Sequence, residues 1–154
     1  MDARAEADSP ERRARRNMMI ARALESGSTA LADELTPKLL AESAPDEMKK
    51  QLREMMERSP SNGIVGALEA IRDRPDSTPL LQTLASVPTL LLIGEHDART
   101  PRASMHAMAE QIPGASFDMI PGAGHIAPVE NPPAVTSKLR DFLDDLDAAR
   151  SSRA

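Results

Sequence analysis

The chain has 154 residues, the length of one ordinary domain, with two Phe and neither Trp nor Tyr. Base stacking therefore has almost no aromatic surface to use, and a formal net charge of −5 repels phosphate backbones, so no nucleic-acid partner is expected. The absence of cysteine excludes a disulfide framework and a thiolate metal site.

The opening residues, MDARAEADSPERRARR, are charged throughout and lack the apolar segment of a signal peptide. No apolar run approaches the roughly 20 residues needed to cross a bilayer, so a cytoplasmic protein without a membrane partner is expected. Ser9-Pro10 suits a helix start, with a capping hydroxyl and a proline at the first helical position, and Gly27 suits a stop. Arg12, Arg13, Arg15 and Arg16 cluster there and read as a solvated helix face, the alternative being a contact for an anion or a partner. A second helical piece, Ser28 to Leu35, meets Pro37, which restricts Thr36 and ends or kinks it. Ser43 and Pro45 open a third, with Met48, Leu52, Met55 and Met56 on one face. Ser59-Pro60 open a fourth, carrying Ile64, Leu68 and Ile71 before Pro75 stops it.

After Pro75 the pattern changes. Asp76 to Pro79 start a short helical turn holding Leu80, Leu81 and Leu84. Val87 to Ile93 is an apolar run interrupted by Pro88 and Thr89, the signature of a strand buried on both faces. Pro101 opens a helix in which Met105, Met108, Ala109 and Ile112 align, and Pro113-Gly114 ends it. Ser116 to Ile120 is a second strand, followed by a tight turn, Pro121-Gly122-Ala123-Gly124. Asn131 caps a final helix with Val135, Leu139, Phe142, Leu143 and Leu146 on its buried side. The predicted organisation is a helical region over 1–75, a β-α-β-α unit of a parallel sheet over 76–148, and a disordered tail over 149–154. Two parallel strands do not make a stable open sheet, so an exposed edge available for self-association is expected.

Asp97 and His125 each stand just past the carboxyl end of one of these strands, where open α/β sheets place their ligands. A carboxylate held there can accept a hydrogen bond from one imidazole nitrogen, set the tautomer and stabilise the imidazolium. The other nitrogen can then take a proton. Gly122 and Gly124 suit a loop that turns sharply beside a substrate. His96 and His106 read as supporting and surface residues, and no histidine spacing supports a metal site.

The stretch VPTLLLIGEHDARTP…IPGASFDMIPGAGHIAPVENP resembles the carboxyl-terminal part of the α/β-hydrolase superfamily. In that family an acid follows one late strand and a histidine the next, in the order nucleophile, acid, histidine. The resemblance puts Asp97 on the acid, His125 on the general base, and Glu130-Asn131-Pro132 on the approach to the last helix. It makes residues 1–75 the helical cap, or lid, and implies a partial α/β-hydrolase fold lacking the amino-terminal strands. It implies no cofactor, and a small ester, lactone or similar carbonyl compound as substrate, as in esterase-like and lactonase-like members. The family's Gly-x-Ser-x-Gly turn does not occur: Ser116 enters a strand instead of leaving one, and Ser61 lies in a helical stretch. Without nucleophile and oxyanion loop the chain alone is expected to be inactive. The alternative expectation is a truncated or split fragment that acts, if at all, as a binding or association module.

Overall fold

The computed structural model describes residues 4–152. Helix α1, Pro10–Leu39, starts as its sequence dictates: Ser9 caps it through an Oγ that accepts Arg12 N–H at 3.3 Å, and Pro10 occupies the first turn. At Gly27 the backbone takes φ 73°, ψ −170°, so α1 is two helical segments meeting at a sharp bend. Only glycine adopts that geometry cheaply, and the helix stop read at this position is this bend. Pro37 does not end the second segment, which runs on to Leu39. It falls in the last turn, where one missing N–H costs little of the hydrogen-bond ladder.

Helices α2 (Asp46–Glu57) and α3 (Ser61–Asp73) pack against α1. Met19, Ala23, Leu31 and Leu68 form one buried cluster between α1 and α3, and Leu40, Ala44 and Leu52 form another beside α2. Met48 and Met56 pack against the second, but Met55 is exposed and off the shared face.

A 3-10 turn over Thr78–Ser86 leads to strand β1, Leu90–Gly94. The strand begins later than the apolar run, because Val87 N–H closes the preceding turn on Leu84 C=O and Pro88 offers no ladder donor. Helix α4 (Arg102–Glu110) carries the chain to β2 (Ser116–Ile120), which pairs parallel with β1 in the register Leu90 to Ser116 through Gly94 to Ile120. Alternate β1 side chains reach opposite faces. Leu91 and Ile93 join Ala5, Leu81, Met105, Ala109 and Ile112 on one. Leu92 joins Ile120, Ala123, Ala127 and Val135 on the other. The sheet is thus a two-stranded parallel layer between helices.

After β2 come α5 (Ala127–Glu130) and α6 (Pro132–Ser151), the latter capped by Asn131 Oδ1 accepting Ala134 N–H at 3.2 Å. Two expectations for this end need correction. Leu139 and Leu143 are 45% and 56% exposed instead of buried. A 20-residue helix is about 30 Å long, whereas five-residue strands span roughly 17 Å, so only the first turns of α6 have sheet beneath them. The tail expected over 149–154 is helical through Ser151, and its last two residues lie outside the described range. Among the described residues, no helix is long and apolar enough to cross a membrane.

Candidate active site

Both loops at the carboxyl rim of the sheet are fixed by backbone contacts before any side chain acts. Glu95 N–H donates to Ile120 C=O at 3.0 Å and His96 N–H to Ala123 C=O at 2.8 Å, which staples the loop after β1 to the loop after β2. A Cβ at Gly94 would overlap the carbonyl oxygens of Ala123 and Gly124, so the loops can approach this closely only with glycine there. Glu95 adds a side-chain tie, its carboxylate accepting Gly122 N–H at 2.9 Å. Gly122 turns the chain with φ 67°.

Asp97 Oδ1 accepts the N–H groups of Arg99 and Thr100 at 2.8 and 3.0 Å, which locks the carboxylate into its own loop. The side chain is 2% exposed. His125, 17% exposed, places Nδ1 3.2 Å from Asp97 Oδ1 and 3.1 Å from Oδ2. The two residues singled out in the sequence therefore meet at one sheet rim. A carboxylate can only accept, so Nδ1 carries the proton in this arrangement and Nε2 is the ring nitrogen with a lone pair.

His125 is also held from the helical side. Its N–H donates to Leu39 C=O at 3.0 Å. Glu130 accepts Gly124 N–H through Oε1 at 2.9 Å and Ala41 N–H through Oε2 at 2.7 Å. A Cβ at Gly124 would lie 2.5 Å from Ala41 N and 2.7 Å from Leu40 C, so the histidine loop and the chain leaving α1 touch backbone to backbone. Sequence reasoning had placed Glu130 in a matching segment without this role.

The other histidines stand apart. His96 is exposed, with Nε2 3.9 Å from Glu95 Oε2. His106 on α4 meets the Phe117 ring edge-on, centroids 5.4 Å apart, and Glu110 at 3.5 Å. A cavity of about 1250 Å³ opens beside the acid loop, between the end of α1, α2 and residues Glu95 to Ala98, and Asp97 is part of its wall.

The sequence profile of the family described as TAP-like protein, an α/β-hydrolase group, matches residues 69–152, more than half of the chain. The chain belongs to the α/β-hydrolase superfamily. Among solved α/β-hydrolase structures it is similar to a malate-bound thermophilic esterase from Thermogutta terrifontis, with 39% identity and a TM-score of 0.86. The match covers 92% of this chain and 53% of that one. An enol-lactonase from Burkholderia xenovorans LB400 aligns at 28% identity and a TM-score of 0.77, covering 92% of this chain and 53% of the other. A protein of Bacillus subtilis (strain 168) described as an uncharacterized carboxylesterase is 33% identical over 61 residues, which is 39% of this chain and 20% of that protein. The chain thus spans about half the length of the α/β-hydrolase structures it matches.

Proposed function

We propose that this chain supplies the acid and the general base of an ester or lactone hydrolase, with residues 1–75 acting as the cap over the site. Asp97 orients His125 through Nδ1, and Nε2 takes the proton of a serine nucleophile as it attacks the carbonyl carbon. The imidazolium then returns that proton to the leaving oxygen, and a water repeats the cycle on the acyl-enzyme. The observation that carries this reading is the pair of contacts at 3.1 and 3.2 Å between His125 Nδ1 and the Asp97 carboxylate, at the carboxyl rim of parallel strands. The sequence contains no Gly-x-Ser-x-Gly, so the serine belongs to a polypeptide outside these 154 residues.

Complementation tests it. The chain is mixed with a separately expressed amino-terminal half of the Thermogutta terrifontis esterase and assayed with short-chain p-nitrophenyl esters. Turnover is expected from the mixture and not from either part, and His125→Ala should reduce it at least 1000-fold, the usual cost of losing a triad base. Turnover that survives His125→Ala overturns the role given to the histidine. Turnover by the chain alone that is lost on His125→Ala would put the nucleophile within it.

A second reading is an association module without catalysis. It is favoured by the two-stranded sheet, whose β1 is apolar and buried on both faces yet, among the described residues, pairs on one edge alone.

A further inference from the structure

Separate from the cavity beside Asp97, a second cleft of about 370 Å³ lies against the other side of the acid loop, and its lining is basic. One wall is the start of α1, where Arg12, Arg15 and Arg16 recur at helical spacing. Lys38, from the far end of the same helix, lines it too. In a straight helix Lys38 would stand about 39 Å from Arg12, so the bend at Gly27 is what brings the two ends to one cleft. Arg4, Arg74 and Arg99 complete the cationic lining.

Buried or half-buried carboxylates hold several of these cations in place. Asp8, whose side chain has no exposure, sits beneath them, 3.1 Å from Arg16 Nε and 3.3 Å from Arg74 Nη2. Lys38 pairs with Glu34 at 3.1 Å. Arg4 donates to the Arg99 carbonyl at 3.1 Å. Arg4, Arg12 and Arg15 make no ion pair among the described residues, and the buried Arg74 Nε has no acceptor. In a chain of net charge −5, this gathers positive potential into one concave site, where low-dielectric walls focus it. Guanidinium forks match the paired oxygens of carboxylate and phosphate groups.

We infer that this cleft binds the oxyanion group, carboxylate or phosphate, of a small ligand. Ala98 borders both this cleft and the larger one walled by Asp97, so a ligand anchored here extends toward the acid loop. On the hydrolase reading above, on which this last step rests, the substrate is an ester or lactone with a negative charge remote from the bond that breaks. The binding itself does not depend on that reading.

Calorimetric titration of the full chain with succinate and, separately, inorganic phosphate tests the site. Saturable one-to-one binding of at least one is expected, weakening as salt is raised, and the tighter of the two identifies the oxyanion. The double variant Arg12→Glu/Arg15→Glu should weaken it at least tenfold, and the single Arg15→Gln by a smaller factor with less risk to folding. Arg150→Glu, in the exposed last turn of α6 and outside the cleft lining, should leave it unchanged. No saturable binding of either anion overturns the inference, as does binding that the double variant leaves intact or that Arg150→Glu weakens equally. An anion site retained in a chain that fails complementation would sink the hydrolase reading alone.

Discussion

Gly124 carries a constraint that its neighbour His125 depends on. Any side chain there meets Ala41 N and Leu40 C, both backbone atoms that cannot rotate away. Gly124→Ala must therefore push the histidine loop off the chain leaving α1, disturbing the Gly124–Glu130 and His125–Leu39 hydrogen bonds together. Forced overpacking costs about 1–3 kcal/mol. A melting temperature lowered by about 3–10 °C is expected in calorimetry, at a few degrees per kcal/mol for a chain of this size. An unchanged melting temperature would mean that the close approach does not exist. Asp97 and His125 were legible in the sequence because each follows a strand, a purely local signal. Glu130 and the Leu39–Ala41 contact were not, because Ala41 and Glu130 are 89 residues apart and no local pattern encodes their meeting.

At the scale of elements, the second segment of α1 is braced by Glu34, which contacts Lys38 and Arg22, each at 3.1 Å. The hydrogen bond from Lys38, assisted by the charges of Lys38, Arg22 and Arg15, holds the Glu34 carboxyl below its ordinary value of 4.5. A carboxyl whose folded pKa is depressed binds fewer protons folded than unfolded. Its contribution is therefore full above the unfolded value and is lost as pH falls through the folded one. Glu34→Gln should cost about 0.3–0.5 kcal/mol at pH 7, the usual size of such a helix pair. In urea titrations the difference from the parent should close as the solution is acidified below pH 4.5. A difference that grows on acidification would contradict the pairing. Helix positions were legible because proline and glycine punctuate them. Pro37 did not end its segment because it falls in the last turn, and what local pattern could not show is that the bend at Gly27 brings Lys38 to the cleft lined by Arg12, Arg15 and Arg16.

For the molecule as a whole, the helix-strand order could be read directly, since apolar periodicity separates the two kinds of segment. The exposure of Leu139 and Leu143 could not, because it depends on how far the sheet extends beneath α6. These leucines, with Met18, Leu24, Met55, Leu80, Val87 and Val129, leave substantial apolar surface exposed. Such surface together with open strand edges favours pairing between chains. Sedimentation velocity over a roughly hundredfold concentration range should show weight-average mass rising with concentration, as mass action requires. A constant monomer would remove the support for the association reading.

The carboxylate of Glu130 also bears on how the protein is made. It bridges Gly124 and Ala41 across 89 residues, whereas Asp97 and His125 are only 28 apart. Closing the longer span carries the larger entropic cost, so the β-α-β unit can order itself before the helical region docks. His125 takes its final seat when Leu39 arrives to receive its amide, and it loses that hold when the two regions part.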